Sequence, residues 1–137
     1  MKCYAVIDTN VLVSALLSGH DDAATVQVVD RLFSEEIIPV YSIEIISEYD
    51  NVLHRKKFKF SEEAISILLT VIEQNGVLAE PAASGEILPD MKDFPFYEVV
   101  LDKRDKNAYL VTGNIRHFPQ KPFIVTPNRL LEILNEK

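Results

Sequence analysis

Tryptophan is absent from the 137-residue chain, and cysteine and glycine are scarce, at one and four residues. A lone cysteine cannot form an internal disulfide, so the core has to hold the fold. Cys3, inside an apolar run, reads as a small buried side chain and not as a nucleophile. Apolar runs as long as a membrane span or a secretion signal are missing too, so a cytoplasmic protein with no membrane partner is expected. Basic residues are few: 14 Lys and Arg stand against 21 Asp and Glu, a net charge of −7. That balance excludes a protein that coats nucleic acid by charge alone, because phosphate binding relies on clustered Lys and Arg. Any nucleic-acid contact must therefore be local, while the carboxylate excess suits a site awaiting a metal ion or a surface that attracts a basic partner. What is abundant is apolar, 47% of residues, enough at this length for one domain over 1–137 with a substantial core.

The chain is organised around its opening stretch. The apolar run from Cys3 stops abruptly at Asp8, Thr9 and Asn10, and Val11, Leu12, Ala15 and Leu16 follow at helical spacing. Asp8 is thus expected at a strand-to-helix junction, where open α/β sheets place their ligands. Thr9 or Asn10 would cap the helix, but capping needs only one of the three polar residues, which favours a site.

Further along, Gly19 closes the first helix, Asp21 or Asp22 is expected to cap a second that runs to about Glu35, and residues 37–42 read as a buried strand interrupted by Pro39. A third helix from Ser42 or Ile43 buries Ile45, Ile46, Tyr49, Val52 and Leu53, with Glu48 bordering that stripe instead of facing water squarely. The basic stretch 54–60 interleaves Phe58 and Phe60 with Lys57 and Lys59. Its rings could stack on bases and its lysines meet phosphates, but rings that anchor a helix end to the core are the commoner use. Ser61 opens a helix that Gly76 stops, residues 77–80 suit a short edge strand, and 81–90 a surface loop. Asp93 fits the N-cap of a helix with Pro95 in its first turn. The strand Tyr109 to Val111 then runs into Thr112, Gly113 and Asn114, repeating the design at Asp8. If the two strands are parallel neighbours, Asp8, Thr112 and Asn114 share one crevice. Residues 123–126 form a last strand, and Thr126 caps a final helix that has Pro127 at its first position.

With these residues in view, the segments VIDTNVLVSALL, ISEYDNVLHRKKF, DMKDFPFYEVVL, YLVTGN, HFP, FIVTP and LLEIL together resemble the PIN-domain nucleases. The likeness is strongest to the bacterial and archaeal members that serve as toxins of toxin–antitoxin pairs. It implies an α/β fold, a three-layer α/β/α sandwich with a mostly parallel central sheet, and hydrolysis of single-stranded RNA with Mg²⁺ or Mn²⁺. It also implies a cognate antitoxin protein and a homodimer. Carried over by motif, the acids are Asp8, Glu48 and Asp93, supported by Asn10 and Thr112, with Asn114 where many members have a fourth aspartate. Asp8 and Asp93 are the expected direct metal ligands, and Glu48 is either a third or the group that orients the attacking water. An amide at Asn114 adds no charge, which argues against a second ion. Arg116 and His117, like Lys57 and Lys59, are candidates for RNA contact. Two other readings stand beside this one: a PIN-like module that binds RNA or protein with weakened catalysis, and a phosphotransfer domain, disfavoured because Asn10 stands where a second Asp would be needed.

Overall fold

The computed structural model describes residues 2–86 and 88–136, so Ile87, within the stretch read as a loop, lies outside the described residues. Five strands form one parallel sheet: β1 (Cys3–Ile7), β2 (Ile37–Tyr41), β3 (Val77–Leu78), β4 (Tyr109–Val111) and β5 (Ile124–Val125), in the order β3-β2-β1-β4-β5. Among the described residues six α-helices flank it: α1 (Thr9–Leu17), α2 (Ala24–Phe33), α3 (Ile43–Leu53), α4 (Glu62–Asn75), α5 (Phe94–Asp102) and α6 (Pro127–Asn135). This is the expected α/β/α architecture. Ala5, Val6 and Ile7 on β1, and Leu110 and Val111 on β4, are almost wholly buried, as strands covered on both faces must be.

The strand order positions the site. From β1 the chain steps outward through β2 to β3, then returns to the other side of β1 for β4 and β5, so the winding reverses between β1 and β4. Loops leaving the carboxyl ends of those two strands diverge and leave a crevice. Ile7 pairs with Val111, and the Asp8 amide donates to the Val111 carbonyl at 2.9 Å, so Asp8 and Thr112 leave the sheet side by side.

Several local expectations need correction. Pro39 does not interrupt β2, for it sits in register with Ala5 in mid-strand. Its missing N–H is harmless because pairing with β3 starts only at Val40. Neither Asp21 nor Asp22 caps α2: Ala23 holds that position without a side-chain bond, and the Gln27 side chain grips the Asp22 carbonyl. The helix ends at Phe33, and Glu35 turns the chain at φ 66°. Part of the 81–90 loop is tied down, with Leu88 buried and the Ser84 amide donating to Glu98. Ser42, Ser61 and Thr126 do cap α3, α4 and α6, accepting from the amides of Ile45, Ala64 and Arg129.

Gly76 ends α4 as expected, though close approach and not a left-handed turn requires it. A Cβ there would lie 2.3 Å from the Ile72 carbonyl oxygen and 2.5 Å from that of Pro39, both backbone atoms that cannot swing away. Gly76→Ala should therefore destabilise the protein by about 3 kcal/mol, as overpacking does. Thermal denaturation should show a fall in Tm of roughly 10 °C.

Candidate active site

The polar residues after β1 and β4 are joined directly. The Thr112 hydroxyl, fully buried, donates to Asp8 Oδ2 at 2.7 Å and accepts the Asn114 amide at 2.9 Å. Thr112 thereby fixes the Asp8 carboxylate and the turn beyond β4 together. Asp8 is also the N-cap residue of α1, but its side chain makes no cap hydrogen bond. Neither Thr9 nor Asn10 caps this helix. Instead, the Thr9 hydroxyl donates to Glu48 Oε2 on α3, bridging two elements 39 residues apart.

Tyr49 sets the position of α3. Its hydroxyl donates to the Ile7 carbonyl from a completely buried ring, pinning the helix to the last residue of β1. Sequence reasoning took Tyr49 as part of an apolar stripe and missed its polar end. A buried Tyr that finds an acceptor combines a large apolar body with one directed bond. The Glu48 side chain next to it is consequently held at the crevice.

The third acid comes from the far side. Asp90 accepts the Lys92 amide and so caps the short turn Met91–Asp93, while Asp93 occupies the N-cap position of α5 without making a cap bond. Asp93 Oδ2 is buried and has no hydrogen-bond partner, and the His117 ring nitrogen, at 3.5 Å, is near enough only for a weak ionic contact. Asp8, Glu48, Asp90 and Asp93 thus line one cleft of about 180 Å³, together with Arg55 and Lys92.

Charge in this cleft is held at a cost. Burial raises the Asp8 pKa, and the Thr112 bond and the Thr9 and Asn10 amides facing the carboxylate only partly oppose it. Burial also raises Glu48, with the Asp8 charge acting the same way and Thr9, Lys92 and Arg55 opposing. Asp93 is pushed up to about 6, first by burial and then by the Asp8 charge. Desolvated like charges that raise one another's pKa mark a site built to receive a cation or a proton.

The donor set suits a hard divalent ion, because carboxylate oxygens dominate it and one of them, Asp93 Oδ2, is buried without a hydrogen-bond partner. Among the described residues, no group of three or more His, Cys, Asp or Glu side chains is arranged to enclose an ion. One or two carboxylates with waters and a substrate phosphate meet the needs of Mg²⁺.

The remaining candidates divide. Asn10 and His117 line the cleft. Asn114 does not: it is exposed and serves the site only through its backbone bond to Thr112. Arg116 lies with it in an adjoining hollow beside Thr126, which shares His117 with the cleft. Lys57 and Lys59 are exposed and do not line the cleft. Phe58 and Phe60 stack on each other at 5.3 Å between centroids and pack on the core, so the anchoring use of this segment holds. Sequence reasoning missed Arg55 and Lys92, which line the cleft because α3 and the turn before α5 face one another; the basic run 54–60 was the signal for Arg55, and it singled out Lys57 and Lys59 instead.

Comparison with known proteins agrees with this geometry. A family model for the PIN domain matches residues 4–116. An uncharacterized protein of Methanocaldococcus jannaschii is 28% identical over 132 residues, covering 84% of each chain. No solved structure matches. Described helices include none long and apolar enough to cross a membrane. With its parallel sheet, its acids at the β1/β4 crevice and a match spanning most of its length, this chain belongs to the PIN-domain family, whose fold is of the nuclease type.

Proposed function

We propose that this protein is an endoribonuclease that hydrolyses phosphodiester bonds of single-stranded RNA with Mg²⁺ or Mn²⁺ held by Asp8 and Asp93. The single observation that carries the reading is the meeting of Asp8, Glu48 and Asp93, from three separate elements, in one cleft where each carboxylate raises another's pKa or is raised by it. A bound divalent ion supplies Lewis acidity toward a phosphoryl oxygen and a more acidic water. Asp8 and Asp93, which line the same cleft, would hold the ion through their carboxylates. Thr112 keeps the Asp8 carboxylate in one orientation. Glu48, held by Thr9, orients the attacking water and accepts its proton, a task suited to a carboxylate of raised pKa. Asn10 and His117 line the same cleft and are placed to contact the substrate.

In the cell, this activity fits the toxin of a toxin–antitoxin pair, working in the cytoplasm as a homodimer until a cognate antitoxin protein covers the site. The acidic rim favours a basic segment of that partner. The enzymatic reading is tested by incubating a labelled single-stranded RNA with purified protein and Mn²⁺, with and without chelator. Fragments that appear only with the ion are expected, whereas intact RNA bound tightly under all conditions would favour a binding module.

A further inference from the structure

A second and larger groove, about 640 Å³, opens from the same wall of the cleft, between α3 and the Met91 to Pro95 segment. Glu48, Val52, Arg55 and Lys92 border both hollows, so the two form one continuous depression. Two large apolar side chains stand in solvent along it: Ile43 on α3 is 73% exposed and Met91, on the opposing segment, 80%. Ser47 and Asn51, one helical turn apart on α3, supply hydroxyl and amide groups between them. Single exposed apolar residues are ordinary. Two of them on the walls of a groove that leads into an acidic cleft, with a pair of cations at the junction, are not.

The geometry points to this groove as the seat of the unpaired nucleotide next to the scissile phosphate, its base between Ile43 and Met91 and its phosphate on Arg55 and Lys92. The inference rests on the RNA-cleaving reading above and adds the strand's path and the residues that recognise it. Arg55 and Lys92 are the cations that line this depression in a chain of net charge −7. A strand whose phosphate must approach four carboxylates needs positive charge at that point, which a protein partner would not. Ile43, Val52, Met91 and Pro95 are the apolar side chains of the groove, enough to hold one planar base and too little surface for the core of a protein interface. A base within a duplex has both faces stacked and cannot enter, so the groove itself selects single strands. Ser47 and Asn51 are placed to read the base edge, as hydroxyl and amide side chains do.

The test measures binding of a fluorescein-labelled RNA oligonucleotide, single-stranded or annealed, to an Asp8→Asn parent that cannot cut it. Adding Ile43→Ser and Met91→Ser together should weaken single-strand binding about fivefold to tenfold. The same change should erase the preference over duplex. Lys92→Gln in the parent should weaken binding and lower the salt dependence by about one charge. Both apolar residues are exposed, so Tm should not move. Unchanged affinity of the Ile43→Ser, Met91→Ser protein overturns the proposal, as does absence of any single-strand binding by the parent. So does a double variant that keeps its RNA affinity but shifts from dimer to monomer, which would make the groove a contact between copies of this chain. Failure of the RNA-cleaving reading looks different: wild-type protein leaves RNA intact with Mn²⁺, whatever the groove variants bind.

Discussion

Replacing Asp8 with Asn should lower the rate of single-strand RNA cleavage by roughly a thousandfold, the scale expected when a preorganised electrostatic contact at the reacting centre is lost. The fold should survive. Asn is nearly isosteric and its amide oxygen can still accept the Thr112 hydroxyl, so the link between the ends of β1 and β4 persists. What disappears is one negative charge in a buried position, and burial is the main reason that the carboxylate's pKa is raised. Removing that charge relieves its desolvation, while the new amide NH2 can no longer accept from the Thr9 and Asn10 amides; the two effects oppose, so Tm should stay level while activity collapses. Measuring initial rates and thermal melts on the same preparations separates this outcome from simple unfolding. An Asp8→Asn protein with wild-type activity would remove the carboxylate from the chemistry, and a lower Tm would mean that Asp8 is a structural cap.

Asp93→Asn should have an effect of similar size on activity and a more distinctive one on stability. In the folded protein the Asp93 pKa is raised from 3.8 to about 6, so the native state binds more protons than the unfolded chain between those values. Stability from this group is then fully present below about pH 4 and lost as pH rises through 6. Asp8 and Glu48 shift the same way and reinforce the trend. His54, raised by Asp50 and Glu62, has the same sign but lies outside the cleft. The metal-free protein should therefore melt lower at pH 7.5 than at pH 5.5, and Mn²⁺, by binding the ionised carboxylates, should restore Tm chiefly at the higher pH. In Asp93→Asn the Asp93 share of the pH slope vanishes. That share is on the order of 1 kcal/mol once solvent screening is allowed for. It corresponds to a Tm gain of about 4 °C at pH 7.5 without metal, and most of the Mn²⁺ response should go with it. A variant with an unchanged slope and full Mn²⁺ stabilisation would show that Asp93 is neither strained nor a ligand.

Why some of this was legible in the sequence and some was not has a physical basis. The junction at Asp8 announced itself because a buried strand tolerates no polar residue until it leaves the sheet, so the break in apolar character marks the strand's end. The same break at Thr112 would share a crevice with the first if the two strands were parallel neighbours, and the register of Ile7 with Val111 meets that condition. Caps at Ser42, Ser61 and Thr126 were legible because each precedes a periodic apolar pattern. Long-range bonds made by single atoms were not. Nothing local distinguishes Tyr49 as the residue whose hydroxyl reaches the Ile7 carbonyl, or Thr9 as a partner of Glu48 instead of a cap. The cations at the cleft were hidden for a related reason. Arg55 belongs to a basic run whose lysines do not line the cleft, and Lys92 stands alone between two aspartates, so only the packing of α3 against the segment before α5 reveals them. At Asn114 the turn was legible, but not that its backbone amide, donating to Thr112, would be the group joined to the site while the residue itself does not line the cleft.

The most direct measurement is the anomalous scattering of a crystal soaked in Mn²⁺. One strong peak between the Asp8 and Asp93 carboxylates, with Glu48 reaching it directly or through a water, is the expected result. A fully occupied ion elsewhere on the molecule, with the Asp8 and Asp93 oxygens turned away from each other and the cleft empty, would contradict it.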